Sequence, residues 1–394
     1  MACYLYVGNR PAFSSAAKAA GKKEQYGYAA CSFNEESGEA REIETVYFDP
    51  DFSAGPAFID SRRRRLYIAN EVSDLPGQTL GGGYLYVCSI DPDTGRLSRI
   101  GGSPSYAAKP SYITSDESGR YLLITNHGGR GGITTTERGA DGRLRIRVRQ
   151  DESNVVLFPL DADGAIGEPA DIFRLEGSGP KSFQHGPHAH SIVKAPGKNM
   201  YVVCDKGGDQ IYTLSLDPDK GALKMLHEPL KRLPGSAPRY SAFHPSLPYL
   251  YVNKEAEPRI SVFRVDDDLS LTEVQVVKND IPEGFALPPE AQLFQSEILV
   301  SPDGENLYVF IRYINIASVY GIDRSDGTIS LRRTVKLNGG PRTAAFSPDG
   351  KYLAVSLTEE HRVDIYAVAP DGLLTGPVSS LVQPSPGTVS FCRF

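Results

Sequence analysis

The stretch FQHGPHAHSIV, residues 183–193, places His185, His188 and His190 within six positions and then runs into apolar residues. Three chemistries fit that spacing. Alternate histidines on an extended strand can hold zinc when further ligands arrive from elsewhere in the chain. An imidazole beside a carboxylate can move protons near neutral pH. A polar turn can also use histidine for structure alone.

What these histidines do depends on the elements that carry them, and the sequence is built from a repeat. A short motif of aromatic and branched residues recurs as YLYVGNR (4–10), LYIANE (66–71), LLITNH (122–127), MYVVCD (200–205), LYVNKE (250–255), LYVFIR (307–312) and LAVSLT (353–358). In front of six copies lies another apolar segment, among them KPSYIT, PHAHSIV, APRYSAF and GPRTAAF, joined to the motif by turns such as SPDG (301–304 and 347–350). After most copies comes a third segment ending in Asp, Pro and Gly, as in YLYVCSIDPDTG and IYTLSLDPDKG. Alternating apolar residues bounded by such turn formers mark antiparallel hairpins.

The first copy has no segment in front of it, and PGTVSFCRF at the other end has no partner after it. The pattern therefore predicts an all-β fold over residues 1–394. It is a seven-bladed β-propeller of four-stranded antiparallel blades, with N- and C-terminal strands completing one blade. Residues 130–153 are out of step with the repeat. They carry their own alternating segment, LRIRVRQ, and are expected as an insertion within the third blade, a protruding hairpin or a lid.

The repeat gives positions to the chemistry-bearing residues. Each motif ends on Arg10, Glu71, His127, Asp205, Glu255, Arg312 or Thr358. The preceding antiparallel strand starts at the same face, and counting from the turns puts Ala57, Ser111, His190, Arg239, Ser296 with Glu297, Arg342 and Thr388 there. Two polar rings thus converge on one channel mouth, with the makeup of an anion site that has acid/base capacity. His190 takes a ring position. His188, two residues earlier, is expected by strand alternation to point the same way, and His185 falls in the preceding loop.

Composition narrows the function classes. The chain has 394 residues, a net charge of −6 with no basic block, and no apolar run long enough for a membrane helix, so neither nucleic acid nor a membrane is expected as a partner. Five scattered cysteines, never paired as CxxC, read as reduced residues rather than a disulfide frame or a zinc clamp. With MACYLYVGNR lacking the features of a secretory signal, this predicts a cytoplasmic protein, monomeric or weakly self-associating.

With those residues in place, the chain resembles the lactonase family of seven-bladed propellers, whose members include 6-phosphogluconolactonase and 3-carboxy-cis,cis-muconate cyclase. PHAHSIV, PRYSAFHPSLPYLYVNKE (238–255), SEILVSPDGENLYVFIR (296–312) and GPRTAAFSPDGKYLAV (340–355) carry the resemblance. It implies that His190, Arg239, Glu255, Glu297, Arg312 and Arg342 occupy site positions. After the last YLAV-type strand, where the family often has glutamine, this chain has Ser356, Leu357 and Thr358.

The expected activity is hydrolysis of a small anionic or sugar lactone without cofactor or metal. His190, Glu255 and Arg239 are the catalytic candidates. Arg312, Arg342, Glu297, Glu71, His188, His127, Arg10 and Asp205 are the substrate-binding ones. A muconate-type cycloisomerase and a non-catalytic interaction platform are the competing readings. The absence of tryptophan and the charge at strand ends weigh against the platform.

Overall fold

A computed structural model describes residues 2–11, 25–75, 77, 78, 80–129, 131–279, 281 and 295–394. Among them all regular structure is β-strand, and seven antiparallel sheets follow one another around a ring. Each repeat motif is the second strand of its blade and is buried on both faces because neighbouring blades sandwich it. Cys3–Asn9 and Asn306–Ile311 are buried throughout. The outermost strands, such as Leu271–Lys278, are largely exposed. The outer strand of the fourth blade comes in two pieces, Ala222–Met225 and Leu230–Lys231.

The ring closes as the orphan segments predict. Pro386–Arg393 pairs antiparallel with Cys3–Asn9 in a four-stranded sheet, so the last strand of the chain is the innermost strand of the first blade. Closure leaves no open edge between first and last blades.

The tyrosine of the motif has a structural task. Tyr6, Tyr67 and Tyr251 are fully buried, and their hydroxyls donate to the carbonyls of Gly95, Gly164 and Gly327 at 3.0, 2.8 and 3.0 Å. Tyr308 does the same to Gly372 at 2.5 Å. Each acceptor lies in the outer turn of the next blade, so one phenol both fills the interblade core and satisfies a turn carbonyl. Those turn glycines have φ between 69° and 85°, a region that disfavours any Cβ.

Between Tyr121–Asn126 and Asn154–Pro159 of the third blade, Gly132–Arg138 and Leu144–Gln150 form a two-stranded sheet of their own. Arg130, at the start of the expected insertion, lies outside the described residues. All five cysteines are free and buried.

Candidate active site

One backbone feature recurs at the mouth. Each of the seven innermost strands carries one extra residue relative to its partner near its first residues. The interruptions fall at Gly55 and Pro56, Ser111, His190, Arg239 and Tyr240, Ser296 and Glu297, Arg342 and Thr343, and Gly387. A β-bulge breaks strict alternation and re-aims side chains, which is how one ring comes to present imidazole, guanidinium and carboxyl groups together. A cavity of about 390 Å³ lies inside it, with Glu71, His190, Tyr240, Glu297 and Arg342 on its wall.

Two ion-pair groups flank the cavity. In one, the Glu71 carboxylate meets Arg10 Nη1 at 2.5 Å and Arg342 Nη2 at 3.4 Å. Burial pushes the Glu71 carboxyl up, but Arg10 and Arg342 outweigh it and hold it below the usual range. In the other, Glu255 Oε2 accepts from Lys206 Nζ and Arg239 Nε, both at 3.1 Å. Burial again opposes ionisation, yet Lys206, Arg239 and Arg312 keep this carboxyl down at about 2. Arg239 also donates to the Ser296 carbonyl and lies over the Tyr240 ring at 4.2 Å. Crowding shows in the cations as well. Burial first, then Arg10, lowers Arg342 to about 9, and burial with Arg239 lowers Arg312 to about 10.

His190 and Glu297 are held in their uncharged forms. Burial, then Arg239 and Lys206, pushes the His190 imidazolium well below the ordinary histidine range, so the ring is neutral at pH 7. Its Nε2 lies 3.9 Å from Glu255 Oε2. Burial raises Glu297 to about 8 against the pull of Arg239, so this carboxyl carries a proton at neutral pH. A neutral base and a protonated acid on one cavity wall have the polarity needed for paired proton transfers.

The other candidate residues stand further back. The extra residue at His190 interrupts the alternation that would aim His188 into the mouth. His188 instead stacks on His127 with ring centroids 4.3 Å apart, and its Nδ1 lies 2.9 Å from the His127 carbonyl oxygen. Burial lowers His188 to about 4. His127 meets His190 edge-on at 5.7 Å and so backs the ring that lines the cavity. Asp205 Oδ1 accepts the backbone N–H groups of His188, Gly207 and Gly208 at 2.7, 3.0 and 3.0 Å, fixing the loop in front of His190. His185 packs against His188 at 4.8 Å, away from the cavity wall.

Lys206, Tyr240 and Tyr112 complete the site and escaped the reading of the repeat. Lys206 lies one residue beyond the strand-end position, and Tyr240 shares the bulge with Arg239. Tyr240 packs edge-on against His190 at 5.1 Å and against Tyr112 at 5.7 Å, forming an apolar wall behind the acid and base.

Known proteins share the fold and the family. A family model described as lactonase, 7-bladed beta-propeller, matches residues 13–391. The chain belongs to this lactonase family. Among its relatives, the 6-phosphogluconolactonase of Bacillus subtilis (strain 168) is 26% identical over 315 residues, covering 79% of this chain and 81% of that protein. The 6-phosphogluconolactonase of Formosa agariphila is 24% identical over 353 residues, covering 88% of this chain and 89% of that protein. The periplasmic gluconolactonase of Pseudomonas aeruginosa shares the fold with a TM-score of 0.81 at 20% identity, over 99% of both chains. Homology of this kind supports a lactone hydrolase. Among the described residues no helix is long and apolar enough to cross a membrane.

Proposed function

We propose that the chain hydrolyses an anionic sugar or sugar-acid lactone, of the 6-phosphogluconolactone type, in the mouth of the propeller channel. The observation that carries this reading is the presence of neutral His190, protonated Glu297 and Arg342 on one cavity wall, with four further cations in the charge groups behind it. Those cations, Arg10, Lys206, Arg239, Arg312 and Arg342, stand against the ionised Glu71 and Glu255. The excess positive charge favours a phosphate or carboxylate on the substrate.

In the reaction, His190 accepts a proton from water as the water oxygen bonds to the lactone carbonyl carbon. Arg342, on the cavity wall, faces the oxyanion that develops. The ring C–O bond then breaks and Glu297 gives its proton to the departing oxygen, leaving an open-chain acid. The imidazolium on His190 is stabilised by Glu255, 3.9 Å away. The positive field of Arg239, Arg312 and Lys206 behind the wall attracts the substrate anion, whose charge also raises the His190 pKa toward the working range. None of these steps calls on a cofactor or a metal. The five buried thiols fit a reducing compartment, and the reading places the protein in the cytoplasm.

The direct test is lactone consumption, with 6-phosphoglucono-1,5-lactone, glucono-1,5-lactone and a carboxymuconate lactone offered separately. Fast turnover of the phosphosugar lactone, little changed by a chelator, supports the reading. Turnover of the muconate alone would move the site to the cycloisomerase class, and turnover of none would remove the lactonase assignment.

A further inference from the structure

The two-stranded sheet at residues 132–150 pairs with no other strand among the described residues, and the whole of Leu144–Gln150 is exposed. A lone two-stranded hairpin is marginal in water, and both of its edges offer unpaired backbone groups. Register sorts its side chains into two faces. Opposite Thr134, Thr136 and Arg138 stand Val148, Ile146 and Leu144, which are 55%, 76% and 63% exposed. Opposite Ile133, Thr135 and Glu137 stand Arg149, Arg147 and Arg145. Within the arm Arg145 pairs with Asp141, and Arg147 and Arg149 share Glu137, and with five arginines against these two acids the segment keeps a charge of +3 in a chain whose formal net charge is −6.

The complement to this arm lies on the same end of the ring. The arm leaves the third blade after Tyr121–Asn126. In the neighbouring second blade the corresponding strand, Arg65–Asn70, runs out into a hollow of about 310 Å³ lined by Asp49, Asp51, Asp74, Val72 and Leu75. Leu80, in the same loop, is 68% exposed. A basic, apolar arm and an acidic, partly apolar hollow thus occupy one face of one molecule, in adjoining blades.

We propose that this face forms a twofold dimer in which the arm of each copy lays its Arg145, Arg147 and Arg149 face on the Asp51 and Asp74 hollow of the other. The occupant of the hollow is a second copy of this chain. A twofold axis makes the contact self-complementary and closes the assembly at two. Seven-residue strands reach about 23 Å, enough to cross from one body to the other. Leu144, Ile146 and Val148 of the two arms then pack against each other at the axis, which removes the exposed apolar stripe from water.

Sedimentation velocity on the full chain tests this. The wild type is expected to sediment as a dimer at micromolar concentration, with dissociation promoted by salt because the contact is ionic. Arg145→Glu with Arg147→Glu and Arg149→Glu should give a monomer, as should Asp51→Lys with Asp74→Lys, which leaves the arm intact. An unchanged circular dichroism spectrum in each would show that the blades are folded. Mixing the two variants restores the dimer, since each reversed arm then meets a reversed hollow and each native arm a native one. A wild type that stays monomeric well above about 10 µM, a charge-reversed variant that still dimerises, or a mixture that stays monomeric would each overturn the proposal. Monomeric protein whose arm binds nucleic acid or anionic vesicles would overturn it too.

Discussion

His190 Nε2 lies 3.9 Å from the ionised carboxylate of Glu255, yet its imidazole is held neutral at pH 7. The carboxylate is already engaged by Lys206 and Arg239 at 3.1 Å, so the field at the ring is set by burial and by those two cations. His190 is therefore ready to accept a proton and reluctant to keep one until an anionic substrate arrives.

Replacing His190 by alanine is expected to lower kcat by about 10²–10⁴-fold with the fold unchanged, because the ring supplies proton transfer and no strand pairing. His185→Ala should retain most activity. His188→Ala should fall between them, since its ring supports His127 and reaches the cavity only through it. Steady-state kinetics with circular dichroism decide this, and full activity of His190→Ala would remove the residue from the mechanism.

The pH profile of kcat/KM should be bell-shaped. Activity needs His190 unprotonated, which places the acid limb below pH 6.5, and Glu297 protonated, which places the alkaline limb near pH 8. Glu297→Gln should abolish the alkaline limb and lower kcat. An alkaline limb that survives in that variant would assign it to another group.

Stability should respond to the Glu255 and Glu297 carboxyls with opposite signs. The Glu255 value is depressed, so its contribution is full above its ordinary 4.5 and is lost as pH falls through about 2. Glu297 is raised to about 8, so its cost to folding grows from pH 4.5 to 8 and is constant above that. Glu297→Gln should therefore raise stability at pH 8.5 and do little at pH 4.5, a difference on the order of 4 kcal/mol. Denaturant melts at the two pH values read it, and equal effects would count against a buried protonated acid.

Gly387 tests the bulge. A Cβ there would come within 2.6 Å of Arg10 Cδ, 2.9 Å of its Cγ and 3.2 Å of the Ala54 carbonyl oxygen. Gly387→Ala should displace Arg10 from Glu71, raise KM several-fold and lower stability, because the buried Glu71 carboxylate loses one of its two arginines. A change in kcat alone would show that this arginine group acts on the reaction instead of on binding.

Tyr251→Phe should cost about 1–2 kcal/mol, because the Gly327 carbonyl loses its partner inside the interblade core. Thermal melts measure it. Loss of activity without loss of stability would mean that the tyrosine latch serves the site.

The period of the sequence was enough to determine the propeller, its seven blades and its closure. Seven repeats of two-period alternation and turn glycines, taken together with the unpaired segments at the two ends, point to one topology, and edge pairing at Cys3–Asn9 follows from them. The ring positions of His190, Arg239, Glu297 and Arg342 were also legible, because a repeat fixes the distance of each residue from its turn. What those side chains face was not. One extra residue per inner strand leaves no mark in composition, so the alternation that would aim His188 into the mouth is broken at His190. Lys206 and Tyr240 join the site only because separate blades bring them beside Glu255 and His190. The ionisation states come from burial and from charges distant in sequence, such as the pull of Arg239 on Glu297, 58 positions away. Chain order carries no record of that field, and only the closed ring creates it.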